Sequence, residues 1–294
     1  MKFSLPSDTL FRHPGPGSKH SGAGSSRDPG PLKTLSSLVL GLLLAAAVAL
    51  PAQAESPEDK GLAIAKEADR RNDGFGDSKT TMEMVLRNKQ GQESRRNLRA
   101  RALEVANDGD KSLIVFDDPK DVQGTALLTF SHKVADDDRW LYLPAVKRVK
   151  RIASDNKSGP FMGSEFAFED LGSQEIEKYT YKYVKDEALD GQDCFVSERY
   201  PVDKNSGYTR QVVWMDKAEY RPHKIEFYDR KNSLLKTLTF SGYKQYLGQY
   251  WRPLQLDMIN HQSGKSTTLK FGEYQFRNGY TDRDFDQNTL QAVR

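Results

Sequence analysis

The 294-residue sequence predicts a mainly β fold of α+β character, a curved antiparallel sheet forming an incomplete barrel with a few helices filling it. Three observations carry this. Between Thr80 and Phe276 apolar residues recur with period two, in short runs separated by turn signals. Helical periodicity is sparse. Each run offers one apolar face while the other carries Lys, Arg, Glu or Thr, the pattern of a sheet wet on one side. With so little helix to cover the inner face, the sheet is expected to curve around its contents or around a cavity.

The chain opens with a Pro/Gly/Ser-rich basic stretch and an apolar run from Leu35 to Leu50, about sixteen residues and short of the roughly 20 that a spanning helix needs. Ala52-Gln53-Ala54 follows as a small-x-small cleavage pattern. The expectation is a signal peptide over residues 1–54, cut after Ala54, and an exported single domain over 55–294. Of the 44 basic and 41 acidic residues, five basic and two acidic ones lie in the leader, so the remainder carries equal numbers of each sign. That balance gives no support to nucleic-acid binding. The sole cysteine, Cys194, sits in the apolar setting Cys194-Phe195-Val196 and reads as a buried structural thiol; it permits no intrachain disulfide. No cysteine stands at the cleavage site, so the chain is not read as a lipid-anchored lipoprotein.

Pro57 to Arg71 is the first predicted helix, with Leu62, Ile64, Ala65 and Ala68 on its apolar side. After Gly74-Phe75-Gly76 the period becomes two. Thr80, Met82, Met84 and Leu86 lead to a turn at Asn88-Lys89-Gln90-Gly91 and a return through Leu98, Ala100 and Ala102, which is a long β-hairpin. Strands at Ser112–Phe116, Thr125–Phe130 and Trp140–Leu143 follow. From Ala145 to Ser173 the rhythm breaks, first with the basic residues Lys147, Arg148, Lys150 and Arg151, then with Phe161, Met162, Phe166 and Phe168 among Gly, Pro and Ser. Long excursions of this kind are often binding loops. The four apolar residues are gate-loop candidates, forming either a mobile apolar lid or a buried wrapping loop. The four cations are candidates for lipid headgroups or an acidic partner, or else a solvated face.

From Tyr179 to Phe276 an antiparallel meander is expected, in which Val212 and Trp214 share a face, as do Ile225 and Phe227, and Leu238 and Phe240. Leu254, Leu256 and Met258 share another, as do Leu269 and Phe271. Trp214, Ile225, Phe227, Leu238, Phe240, Leu254, Leu256, Met258, Leu269 and Phe271 are therefore the candidates for lining an apolar cavity, with plain core filling as the alternative. Enzyme signatures are missing. His132, His223 and His261 lie far apart and read as surface residues, Asp136-Asp137-Asp138 reads as a solvated turn, and there is no phosphate loop, nucleophile elbow or dinucleotide fingerprint. No catalytic residue, metal or cofactor is expected.

Trp140-Leu141-Tyr142-Leu143-Pro144-Ala145-Val146-Lys147-Arg148-Val149, then Phe161-Met162-Gly163-Ser164-Glu165-Phe166 with Glu169-Asp170-Leu171, resembles the signature of LolA-like outer-membrane lipoprotein-sorting proteins. Val213-Trp214-Met215-Asp216, Tyr250-Trp251-Arg252-Pro253 and Met258-Ile259-Asn260 through Gly264 to Thr267-Thr268 are similar to that family's C-terminal half. The resemblance spans about residues 60–290. It implies a LolA/LolB-like incomplete barrel with helices plugging its mouth, a periplasmic location, a lipid or lipoprotein acyl chain as cargo, and association with an inner-membrane RND-type exporter. The carrier is expected to be a monomer that does not catalyse a reaction. The alternatives are a non-carrier accessory subunit docking to a transporter through its sheet edge and basic loop, and a hydrolase with dispersed catalytic residues.

Overall fold

The computed structural model describes residues 54–292; the expected signal peptide lies outside them. Ser56 caps the first helix, accepting the Asp59 N–H at 3.0 Å, and Pro57 sits in the first turn, where its missing N–H costs nothing. That helix, α1 (Pro57–Asn72), precedes β1 (Asp77–Arg87), β2 (Glu93–Leu103), β3 (Lys111–Asp118), β4 (Ala126–Phe130), β5 (Asp138–Leu143) and β6 (Arg148–Arg151). After a long connection come β7 (Tyr179–Leu189), β8 (Gln192–Pro201), β9 (Tyr208–Asp216), β10 (Pro222–Asp229) and β11 (Leu234–Ser241). The chain closes with β12 (Lys244–Tyr246), β13 (Tyr250–Arg252), β14 (Gln255–Asn260), β15 (Ser266–Phe271) and β16 (Gln275–Phe276).

The sheet runs β6-β5-β4-β3-β2-β1-β15-β14-β11-β10-β9-β8-β7, antiparallel throughout, while β12 and β13 form a separate hairpin. Pairing of β1 with β15 joins the two halves, with Met82 opposite Phe271 and Met84 opposite Leu269. The barrel is not closed, because β6 and β7 are free edges. The chain between them, residues 152–178, must pass from one edge to the other, and it does so through the inside of the sheet.

Inner-face residues from nearly every strand, among them Met82, Leu98, Phe116, Leu127, Phe227, Leu238, Met258 and Leu269, form one apolar core with Phe161, Phe166 and Phe168. Two sequence expectations change here. The outer face of β3 to β6 is not wet: Leu113, Val115, Ala126 and Leu128 pack against Phe285 and Leu290 of the C-terminal segment, so these strands are covered on both faces. The basic stretch is not wholly loop either, since Arg148–Arg151 is the edge strand β6 paired to β5. Exposed Lys and Arg on an edge strand discourage pairing with another chain.

Among the described residues α1 is the sole α-helix, and it lies against β7. A Cβ on Gly61 would meet the backbone nitrogens of Tyr183 and Lys182 at 2.7 and 2.8 Å, so helix and strand touch backbone to backbone. Lys60 stacks its ammonium 3.5 Å from the Tyr183 ring centre beside that contact. Gly61→Val is expected to lower stability by about 1–3 kcal/mol through overpacking, measured by urea unfolding; an unchanged midpoint would refute the close approach.

Candidate functional site

The segment between β6 and β7 makes a small hairpin of its own. Phe161 N–H donates to the Phe166 carbonyl at 2.7 Å and Phe168 N–H to Gly159 at 3.1 Å, with Met162 (φ 50°) and Gly163 (φ 77°) turning the tip. Its rings point into the core: Phe161 lies 5.7 Å, centre to centre, from both Phe116 and Phe168. Phe161, Phe166 and Phe168 are buried and Met162 half-buried, so the structure places all four as a wrapping loop rather than an exposed lid. Arg96 Nη1 holds the tip by donating to the Met162 carbonyl at 2.6 Å.

A polar staple secures the base of this plug. Lys236, on the inner face of β11, is 4% exposed and reaches Asp170 Oδ2 at 2.7 Å. The same ammonium donates to the Glu165 carbonyl at 2.9 Å. Asp170 also accepts from the Tyr208 hydroxyl at 2.8 Å and the Ala167 N–H at 2.6 Å. Neighbouring Glu169 accepts from Ser206 Oγ and Gly207 N–H at 2.8 and 2.9 Å, while burial pushes its carboxyl above the ordinary range. Every charge buried here is met by hydrogen bonds, which makes the burial tolerable.

The plug fills only one end of the trough. At the other, beneath α1, lies a cavity of about 1410 Å³, larger than the roughly 300–1,000 Å³ of an ordinary small-ligand pocket. Ile64, Ala65 and Ala68 form its helical wall, Ser78, Ala102, Val213, Ile225 and Phe240 its sheet wall, and Tyr243, Trp251, Arg252 and Tyr274 the side near the β12–β13 hairpin. The rim includes residues 104–108, 110 and 172–176 together with charged side chains such as Asp69, Arg71, Arg199, Glu219 and Arg221. It is not a dry tunnel. Asp110 is pushed up to about 7 chiefly by burial and then by Glu175. Burial likewise raises Asp69, Tyr243 and Tyr274 and lowers Arg252.

Of the ten cavity residues expected from sequence, Ile225 and Phe240 line it. Phe227, Leu238, Met258 and Leu269 belong to the core around the plug; Leu256 and Phe271 pack against that core, and Leu254 is half-buried just before β14. Trp214 is on the other face altogether, in a cluster with Cys194, Val196 and Val212, where its Nε1 donates to Glu187 at 2.9 Å. Lys147, Arg148, Lys150 and Arg151 are exposed at the β6 edge, and none of them lines the cavity. The sequence reading missed Arg252, Asp110 and Tyr274 as lining groups. The one signal it held was the small-residue side of the helix, Ala65 and Ala68, which leaves room beneath it.

The supposed surface polar residues are also engaged. His132 bridges Asp108 at 2.7 Å and Asp138 at 3.3 Å, and its hydrogen bond holds Asp108 down at about 2. Asp137, 6% exposed, pairs with Arg139 and Lys178. His223 Nε2 donates to Asp216 Oδ2 at 2.9 Å, beside Arg221. Among the described residues no group of three or more His, Cys, Asp or Glu side chains could hold a metal ion.

Residues 108–292 match a family model described as "-like: Uncharacterized protein". A LolA superfamily protein from Nitrosomonas europaea, 21% identical, shares the fold with a TM-score of 0.63 over 78% of this chain and 98% of its own. A crystallised domain ascribed to an outer membrane lipoprotein-sorting protein of Vibrio parahaemolyticus is 60% identical over 80% of this chain and 99% of its own, with a TM-score of 0.79. The chain belongs to the outer membrane lipoprotein-sorting protein family, and its fold is LolA-like. A DUF1329 family protein from Desulfovibrio piger, 31% identical with a TM-score of 0.76, covers the same 80% of this chain and 99% of its own. No curated protein matches the chain.

Two measurements test this family member's site. Lys236→Met, which strands Asp170, is expected to cost about 3–5 kcal/mol in urea unfolding; adding Asp170→Asn should recover part of that loss, and a double variant no better than the single one would refute the staple. Asp110 holds its proton more tightly in the folded chain than in the unfolded one, where an aspartate titrates near about 3.9. Its ionisation therefore erodes stability as pH rises from the unfolded value through about 7. Asp110→Asn should raise the melting temperature at pH 8 and leave it nearly unchanged near pH 4, and a gain independent of pH would refute this.

Proposed function

We propose that this protein is a periplasmic carrier that holds the acyl part of a lipid or lipoprotein in the cavity under α1 and acts by binding and release. The observation that supports the reading is a 1410 Å³ space bounded by small apolar helix residues and by Ile225 and Phe240, within a family named for lipoprotein sorting. Each methylene moved from water into such a space contributes about 0.8 kcal/mol. The burial competes with a membrane only where the walls stay apolar. In this reading the plug of Phe161, Phe166 and Phe168 stays packed in the core, while residues 172–176 of the same connection border the cavity. Export would follow from the expected leader, cut after Ala54; no helix among the described residues is long and apolar enough to cross a membrane.

An inner-membrane RND-type exporter as donor belongs to the same proposal. A second reading has a specific support of its own: β6 presents exposed Arg148, Lys150 and Arg151 on a free sheet edge next to Lys147, a surface suited to docking on an acidic partner. The two are separable. In the carrier reading, native mass spectrometry of protein secreted by its own host detects a chain starting at Glu55 with bound lipid, and Ala68→Trp, which fills the cavity from the helix side, removes the lipid while retaining the fold. Lipid-free protein that also ignores a fluorescent fatty acid would sink the carrier reading; loss of function on charge reversal at Lys147 and Arg148 alone would favour docking.

A further inference from the structure

The cavity's most unusual group is Arg252. Its guanidinium is packed among three rings, with centroids of Phe75, Tyr250 and Phe276 at 5.4, 5.9 and 5.5 Å. Such seating fixes the plane of the group without neutralising it. Among the described residues Arg252 makes no ion pair, and its one hydrogen bond runs from Nη1 to the Trp251 carbonyl at 3.0 Å. The rest of its N–H fork has no protein acceptor.

The two nearby acids do not supply one. Glu104 spends its carboxylate on the N–H groups of Gly74 and Gly76, at 2.6 and 2.7 Å. Asp110 is held toward its neutral form by burial and by Glu175. The adjacent indole adds a donor rather than an acceptor, since Trp251 Nε1 is buried without a partner. A half-buried cation with unused donors, at the wall of a partly apolar space, is suited to pairing with an anion.

We propose that the cavity takes an amphiphile with an anionic head, a carboxylate or a phosphate, which pairs with the Arg252 fork while its chain lies against Ile64, Ala65, Ala68, Ile225 and Phe240. This rests on the carrier reading and adds what the head of the cargo must be. A planar guanidinium matches the two oxygens of either group in a bidentate contact, which an ammonium cannot do. A neutral amphiphile of the same chain length leaves the guanidinium as unpaired as before. It would gain only the apolar part of the binding.

The test compares three ligands of equal chain length, a fatty acid, a lysophosphatidic acid and a monoacylglycerol, by displacement of a fluorescent probe from the full chain and its variants. The anionic ligands are expected to bind about tenfold or more tightly than the neutral one, and whichever anion binds better identifies the carboxylate or the phosphate as the head. In Arg252→Gln that advantage disappears while the monoacylglycerol still binds, which shows that the cavity has survived. Arg252→Lys keeps the charge without the fork and should fall between the two. Equal affinity for all three ligands, or a uniform loss in Arg252→Gln with no selective effect in Arg252→Lys, overturns the head-group assignment and leaves the carrier intact. Failure of all three to bind the unmodified protein overturns both.

Discussion

The buried contact between Lys236 and Asp170, 2.7 Å long, decides what the inside of this protein is. The topology leaves two free edges, β6 and β7, and obliges the chain to travel between them. An unanchored connection of that length would carry its backbone polar groups through an apolar space at a prohibitive cost. Here the connection is a hairpin whose own hydrogen bonds satisfy its tip, and whose base is fixed by one ion pair with a complete set of partners. Given that anchor, three phenylalanine rings can fill half of the trough as permanently as a helix would. Given the filled half, the other half remains a bounded space.

That space is neither a water channel nor a hydrocarbon pocket, and the mixture matters for exchange. An interior as apolar as a bilayer would take up a chain readily but offer nothing that distinguishes one amphiphile from another. Burial shifts polar groups of the lining such as Asp110 and Tyr274 toward their neutral forms, which would let the proposed cargo lie against them.

What was legible in the sequence is what local pattern encodes. Period two announces which residues share a face, and the helix start signals itself through Pro57, so the strand and helix positions follow closely. Depth along a strand is a different quantity. Ile225 and Phe227 lie on one face, two residues apart, yet the first borders the cavity and the second is packed beside the plug. No periodicity separates them. Trp214 misled for a related reason: β9 is apolar on both faces, with Val213 and Met215 inward and Val212 and Trp214 outward, so alternation alone cannot say which set faces in. Arg252 and the Asp137 network depend on neighbours far away in sequence, Phe75 and Phe276 for one, Lys178 for the other. Only the folded chain brings those together.

The division of β1 and β2 into two ends has a consequence for descent. On β1 and β2 the residues that pack against the plug and the residues that border the cavity are different positions, Met82 and Ser78, Leu98 and Ala102, whereas on β10 and β11 Ile225 and Phe240 border the cavity and also pack in the core. Heritable change at Ser78 or Ala102 can reshape the cavity while Met82 and Leu98 continue to pack against the plug. A lineage built this way can reshape that space without passing through unfolded intermediates.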